Sequence, residues 1–503
     1  MDLLKIKSLK ELVDFGANSY GEKIAYKYKE NKKINSKTFI DLRNDSRKFS
    51  NVLKKLNLLG KHIAVIGTTS YEWILTYLGT VNSNSVIVPL DKDLSSDEIY
   101  DAVNRSDASV FVFDKTHEDT AKNIKNNCSK VECCISISQL EHSDYAYSFK
   151  QLLDESNSDF SVDIDVNKCC TILFTSGTTG KSKGVMLTHK SLCDNMTAFD
   201  TGVEPGTGVT LSVLPIHHAY CFTCEILLGI YLGITVCIND SIMHVAKNLS
   251  LYKPTMLILV PMIVESLYFK IYRLPKLMAK HGLGGKVTKI FSGGAYLNPD
   301  LIGKFKDLGI ELIQGYGMSE CSPMIAANCG CENKIGSVGK LLSSFECKIV
   351  NDEIWVKGPS VMIGYYKDDK NTSEALEDGW LKTGDLGYID EDKYVYITGR
   401  KKNLIILSNG ENISPEELEN KLSSNLLVKE VLVYAEDGKI KAEIFPNLEY
   451  AEKKRIKNID DTLQNFVDTL NKSLPLYKQI QKLKVRDSEF EKTTSKKIKR
   501  KYN

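Results

Sequence analysis

The chain has no apolar run long enough to cross a bilayer. The longest, Ile226 to Ile238, covers 13 residues, whereas a membrane helix needs ~20, so a buried core segment is expected there. It has no excess charge of one sign. Lys and Arg number 66 against 64 Asp and Glu, a formal net charge of +2, which leaves no global signature of a nucleic-acid partner. Near Met1 there is no charged segment followed by an apolar run; Asp2 and the amphipathic Ser8-Leu9-Lys10-Glu11-Leu12 stand there instead. No secretory signal is therefore expected, and the expected location is cytoplasmic, with free thiols. No internal repeat is present, and the one biased segment is the basic tail Lys496 to Lys501. The 13 cysteines are odd in number and scattered. Cys221 and Cys224 form a CxxC, but Cys329-Gly330-Cys331 has the wrong spacing to complete a zinc finger. Core thiols are the expectation.

What is there reads as globular. Hydrophobic residues make up 42% and charged residues 26% of 503 positions, too long a chain for one ordinary core. Ser8-Leu9-Lys10-Glu11 reads as a capping box opening a helix. His62–Ile66, Ser85–Leu90 and Ser109–Phe113 read as buried strands, with a helical pattern from Tyr71 to Tyr77 between the first two. Strands alternating with helices imply parallel βαβ units. Further strands are expected at Cys170–Phe174, Met256–Val260 and Lys289–Phe291, the alternation running to about residue 400. Beyond the polar joint Arg400-Lys401-Lys402-Asn403, about 100 residues have their own texture. Glu430–Tyr434 and Lys439–Phe445 flank the hairpin signal Asp437-Gly438, and Ser414-Pro415-Glu416-Glu417 supplies a cap, an N1 proline and an N3 glutamate.

The most informative stretch is Thr175-Ser176-Gly177-Thr178-Thr179-Gly180-Lys181-Ser182-Lys183-Gly184, directly after a strand. Its glycines bend the backbone and expose N–H groups, its hydroxyls add donors, and its lysines add charge; together these suit a triphosphate. Gly180-Lys181-Ser182 also matches the end of a Walker A loop, but that pattern needs a glycine where Thr175 stands. A polar surface loop is the plain alternative.

This stretch resembles the phosphate-binding loop of the superfamily that unites acyl- and aryl-CoA ligases, amino-acid adenylation domains and luciferases. Ser182 replaces the usual proline. Six further motifs match the same superfamily in order. Gln314-Gly315-Tyr316-Gly317-Met318-Ser319-Glu320 resembles its YGMTE motif, with Ser319 for threonine. The resemblance implies adenine stacking on Tyr316 beside Gly317, a hydroxyl on the α-phosphate and Glu320 on Mg²⁺. Ser292-Gly293-Gly294-Ala295 resembles the turn near adenine and the acyl pocket. Thr383-Gly384-Asp385 resembles the motif whose carboxylate accepts both ribose hydroxyls. Thr398-Gly399-Arg400-Lys401-Lys402 resembles the interdomain joint, with Arg400 at the ribose and phosphate and Lys402 at the hinge. Ser408-Asn409-Gly410-Glu411 resembles the loop that lets pantetheine pass. Lys492–Arg500 resembles the ending with a catalytic lysine, placed at Lys497, with Lys496 where a glycine is usual. Leu214-Pro215-Ile216-His217-His218-Ala219-Tyr220 resembles the segment that gates the acyl pocket, with His218 as the gate.

The resemblance implies an α/β fold with βαβ-layered sheets in a large N-terminal domain, 1–400, and a small mobile α+β C-terminal domain, 401–503. It implies an AMP-forming acid–thiol ligase using ATP, Mg²⁺ and coenzyme A, or a carrier-protein phosphopantetheine in its place. Amino-acid-activating relatives carry an Asp where Tyr220 stands, so an uncharged acid is expected. Val88-Pro89-Leu90-Asp91-Lys92 and Leu407–Gly410 look most like the long-chain fatty acid–CoA ligase branch; an aromatic acid is the runner-up. Two rivals remain open: an enzyme loading an acyl carrier protein, and a catalytically silent nucleotide-binding protein.

Overall fold

In the computed structural model, residues 6–30, 32–175, 182–198, 200–272, 274–329, 333–406, 412–436, 438–492 and 498–500 are described. The fold is α/β, with two large sheets in the first four-fifths of the chain and a small α+β unit after them.

In the eight-stranded sheet, His62–Ile66 lies between Val86–Pro89 and Ala108–Phe113, all parallel. The helices Tyr71–Val81 and Ser96–Arg105 make the crossovers, as the alternating pattern predicts. Both faces of these strands are covered. Ile63, Val65, Val110 and Val112 face the core between the two sheets, while Ala64, Ile66, Phe111 and Phe113 face an outer core. That period of two with apolar residues on both sides is why the strands read as unbroken hydrophobic runs.

The fourteen-stranded sheet repeats this logic in its parallel part, Val209–Ser212, Thr235–Ile238, Met256–Leu259, Lys289–Ser292 and Glu311–Gly317. The run Ile226 to Ile238 divides between a helix ending at Leu232 and the strand Thr235–Ile238, and it is buried. The hairpin Ile24–Glu30/Lys33–Thr38 joins this sheet and not that of the strands which follow it. One feature departs from the expectation. The βαβ alternation expected up to about residue 400 stops at Gly317; from Met324–Ala327 through Tyr394–Arg400 the pairs are antiparallel. Connections such as the one from Ile389 to Tyr394 are too short for the crossover that a parallel pair requires. Among the described residues no helix is long and apolar enough to cross a membrane.

After residue 403 the chain forms a three-stranded sheet with its own core, including Leu418, Leu422, Val433, Ile444, Leu463 and Val467. Glu436 pairs with Lys439 across the expected turn, where Gly438 has φ +70°; Asp437 lies outside the described residues. Ser414 caps the helix Pro415–Ser423 by accepting from the Glu417 amide. At the other end of the chain, Ser8 accepts from the Glu11 amide at 3.1 Å, but the Glu11 carboxylate takes the Lys7 amide instead of the Ser8 amide. The expected capping box is therefore only half formed.

Gly79 marks a tight helix contact of the inner core. A Cβ there would sit 2.8 Å from Phe49 and 2.8 Å from the Ser46 carbonyl oxygen, and the Gly79 carbonyl accepts from Ser50 Oγ at 2.7 Å. Gly79→Ala is expected to lower stability by about 1–3 kcal/mol through overpacking, read as a fall in the thermal midpoint with secondary structure retained.

Candidate active site

The strand expected at Cys170–Phe174 is present as Cys169–Thr175 and pairs antiparallel with Lys183–Thr188, Thr175 standing opposite Lys183. Ser176, Gly177, Thr178, Thr179, Gly180 and Lys181 lie outside the described residues. The base of the hairpin is clamped from outside it. The Arg105 guanidinium donates to the Ser182 carbonyl and lies 5.2 Å from the Phe174 ring centre. The Tyr366 amide donates to the Gly184 carbonyl at 2.8 Å, and the Tyr366 hydroxyl donates to Asp107 at 2.6 Å.

Lys183 and Glu320 meet through a residue the motifs did not indicate. Lys183 Nζ lies 5.0 Å from the centre of the Tyr365 ring, and the Tyr365 hydroxyl donates to Glu320 Oε1 at 2.9 Å. Burial, and then the Glu320 charge, pushes the Tyr365 phenol up, so it stays a donor. The backbone around Glu320 is held by the Met362 amide on the Glu320 carbonyl and by the Met318 amide on the Pro323 carbonyl. The turn demands Gly317, since a Cβ there would fall 2.0 Å from the Pro323 oxygen. Ser319 begins the short 3₁₀ turn that carries Glu320. Among the described residues the second oxygen of Glu320 accepts no hydrogen bond. An oxygen donor set of this kind, with a hydroxyl beside it, fits a hard divalent ion such as Mg²⁺.

Tyr316, Asp385 and Arg400 are in direct contact. The Tyr316 hydroxyl donates to Asp385 Oδ2 at 2.6 Å, and Arg400 Nε lies 2.6 Å from Asp385 Oδ1. Asp385 and Arg400 are register partners on neighbouring strands. The Asp385 side chain is 4% exposed and that of Arg400 38%, so the cluster is buried at the carboxylate and open at the guanidinium. Burial and Asp385 together push the Tyr316 phenol well up. Beside the cluster, buried Glu353 accepts from the Gly384 amide at 3.0 Å and pairs with Lys401 at 2.9 Å. Lys402 follows in the turn Lys401–Asn403. Gly410 and Lys497 lie outside the described residues.

Gly294, with φ +84°, and Ala295 form an exposed turn after Lys289–Ser292, whose Ser292 is the register partner of Gln314. Beside them is a narrow, largely apolar cavity of about 10 Å³, room for about one water molecule, within an indentation that opens to solvent. Tyr220, Leu228, Met256, Phe291, Ile313 and Met324 line it together with Ser292, Gln314 and Gly315, and among the described residues no carboxylate stands in its wall. His218 precedes the short helix Ala219–Cys221, and its ring lies 4.1 Å from that of His217. His217 Nε2 is 3.6 Å from Asp91. Burial, and then His218, pushes His217 down to about 3, so it is neutral near pH 7. Cys221 and Cys224 are buried thiols of the same helical segment, and burial raises both.

A family model described as AMP-binding enzyme matches residues 13–366, and one described as AMP-binding enzyme C-terminal domain matches residues 402–502. A long-chain-fatty-acid–CoA ligase of Bacillus subtilis is 28% identical over 476 residues, 85% of this chain and 82% of that one. The 4-coumarate–CoA ligase 3 of Arabidopsis thaliana is 27% identical over 473 residues, 87% and 81% of the two chains. Among solved structures, the o-succinylbenzoate coenzyme A synthetase of Bacillus subtilis in complex with AMP has a TM-score of 0.79 at 25% identity, covering 97% of each chain. An anthranilate CoA ligase in complex with anthranoyl-AMP has a TM-score of 0.87 at 20% identity, covering 99% of this chain and 96% of that one.

Glu225, behind the cavity wall, is 1% exposed. Its carboxyl accepts from Thr210 Oγ1 at 2.8 Å, and burial raises its pKa above the ordinary carboxylate value. A carboxyl raised on folding binds its proton more tightly in the native state, so its ionisation costs stability as pH climbs from the unfolded to the folded pKa. Glu225→Gln is expected to melt higher than the unmodified protein at pH 7–8, the difference shrinking towards pH 4; a difference independent of pH would contradict this.

Proposed function

The chain belongs to the AMP-binding enzyme family, and on that premise we propose that it couples a hydrophobic carboxylic acid to the AMP portion of ATP and then to the thiol of coenzyme A. One observation carries the reading. A single strand, Glu311–Gly317, lines the apolar cavity with Gln314 and Gly315 and reaches the Asp385–Arg400 cluster with its next residue, Tyr316. An acid whose tail enters at the cavity therefore presents its carboxylate where a nucleotide held by that cluster presents its phosphates.

A carboxylate resists nucleophilic attack, and coupling to AMP gives it a leaving group. In the first step a carboxylate oxygen bonds to the α-phosphorus and pyrophosphate departs. Thr175, Lys183 and the loop 176–181 grip the phosphates, Asp385 accepts from the ribose hydroxyls, Arg400 faces ribose and phosphate, and Lys497 meets the charge that develops. Glu320 would hold a Mg²⁺ ion, which would supply further positive charge to the phosphate oxygens, and the Ser319 hydroxyl donates to the α-phosphate. Tyr316 and Gly317 pack against adenine, with Gly294 and Ala295 on its far side. In the second step the thiol sulfur bonds to the acyl carbon, AMP departs and the thiol proton passes to solvent. Between the steps the unit 401–503 rotates about Lys402 against the unit 1–400, withdrawing Lys497 and bringing in the Gly410 loop, past which pantetheine reaches the acyl-adenylate. His218 gates the cavity.

A fatty acid is the favoured substrate. The cavity wall is largely apolar and among the described residues holds no carboxylate, Tyr220 stands where a partner for an ammonium group would be needed, and several relatives are named long-chain-fatty-acid–CoA ligases. An aromatic acid is the second reading, favoured by the rings of Tyr220 and Phe291 in that wall and by the aryl ligase names among the relatives. A holo carrier protein is the alternative acceptor.

Pyrophosphate exchange over a panel of acids, followed by detection of the thioester with coenzyme A and a holo carrier protein side by side, is expected to show exchange with apolar acids and product with coenzyme A. Lys497→Ala is expected to lower exchange by about 100-fold or more, the scale of losing one charge-stabilising contact, while sparing thiolysis of supplied acyl-adenylate. Equal loss of both steps would contradict the assignment.

A further inference from the structure

We propose that the outer face formed by the helices Val245–Tyr252, Pro261–Ile271 and Lys276–Gly282 docks the enzyme onto an anionic lipid bilayer. Charge is the first ground. Between Ile242 and Lys286 the sequence holds seven Lys and Arg against a single acid, Glu265, although the whole chain nets only +2. Glu265 is partly buried, and among the described residues no carboxylate pairs with Lys247, Lys253, Lys270, Lys276, Lys280 or Lys286. The second ground is apolar projection. Met243 is 85% exposed, Leu277 82%, Ile242 67% and Met278 56%, and every residue from Leu274 to Met278 is exposed. Long aliphatic side chains among unpaired lysines are what an interfacial surface needs: the chains enter the acyl boundary and the ammonium groups stay at the headgroups.

Other occupants fit less well. A second copy would bring one cationic face against another. A nucleic acid would meet Leu277 and Met278, which offer neither stacking nor hydrogen bonds to bases. The location leaves the candidate cavity clear, although Phe269 of the middle helix meets the Tyr450 ring of the C-terminal unit at 6.2 Å. On the strand beneath, Leu257 and Leu259 face the core under these helices, while Met256 and Ile258 line the cavity on the opposite side of the sheet. The docking face and the candidate acyl cavity therefore lie on opposite sides of one sheet, and the proposal holds whichever acid is activated.

Sedimentation of the full chain with vesicles of phosphatidylcholine alone, and with about 30% phosphatidylglycerol added, tests it, each lysine at the surface being worth roughly fivefold in partitioning. Binding is expected to the anionic vesicles only and to be released by high salt. Lys276→Glu with Lys280→Glu is expected to weaken binding more than about tenfold, and Leu277→Ser with Met278→Ser to weaken it at unchanged charge. Both pairs should retain pyrophosphate exchange with a water-soluble acid, which shows that they fold. Failure of the unmodified protein to bind the anionic vesicles, or equal binding by both pairs, would overturn the proposal. So would retention of nucleic acid through the same lysines, or a dimer that Leu277→Ser dissociates.

Discussion

Asp385 is a carboxylate with almost no access to water, held between the Arg400 guanidinium at 2.6 Å and the Tyr316 hydroxyl at 2.6 Å. Removing one partner of a buried charge of this kind costs about 3–5 kcal/mol, so the three side chains constrain one another. They come from three strands, Glu311–Gly317, Trp380–Ile389 and Tyr394–Arg400. The contact thus fixes the parallel part of the large sheet against its antiparallel part, and it does so immediately before the turn Lys401–Asn403. Glu353, on the neighbouring strand of the same sheet, repeats the arrangement by pairing with Lys401.

From that contact the geometry of the rest follows. Tyr316 cannot reach Asp385 unless Gln314 and Gly315 lie along the cavity, because all belong to one strand. Glu320 cannot face Tyr365 unless the backbone turns sharply after Tyr316, which the absence of a Cβ at Gly317 permits. Tyr365 in turn stands over Lys183 at the base of the phosphate hairpin. One set of contacts joins Tyr316, Asp385 and Arg400, and a second, four residues further along the chain, runs from Glu320 through Tyr365 to Lys183 and so joins the two large sheets. Most of their members are polar groups whose donors and acceptors satisfy one another, which sets their positions more sharply than apolar packing would.

Much of the parallel architecture was legible in the sequence, since strands covered on both faces leave runs such as His62–Ile66 and Ala108–Phe113. The antiparallel block after Gly317 was not, because strand direction there depends on connection length and partner choice, neither of which leaves a periodic trace. Tyr316, Asp385, Arg400, Lys183 and Glu320 were singled out by motif order; the structure places the first three in direct contact and joins Lys183 to Glu320 through Tyr365. The supporting residues left no such signal. Tyr366 meets Asp107 across 259 positions, and Arg105 reaches Ser182 across 77; such pairs are set by the fold, not by local pattern. Tyr365, Glu353 and the His217–Asp91 pair belong to the same class.

The account turns on whether the Asp385 cluster holds the ribose of a nucleotide. Calorimetric titration of the unmodified protein and of Asp385→Asn with a non-hydrolysable acyl-adenylate, and with its 2′,3′-dideoxy counterpart, tests this directly. The substitution is expected to weaken the ribose compound by at least about tenfold, the loss of a charge-assisted hydrogen bond, and to leave the dideoxy compound nearly unaffected. Equal affinity of both proteins for the ribose compound would contradict the account.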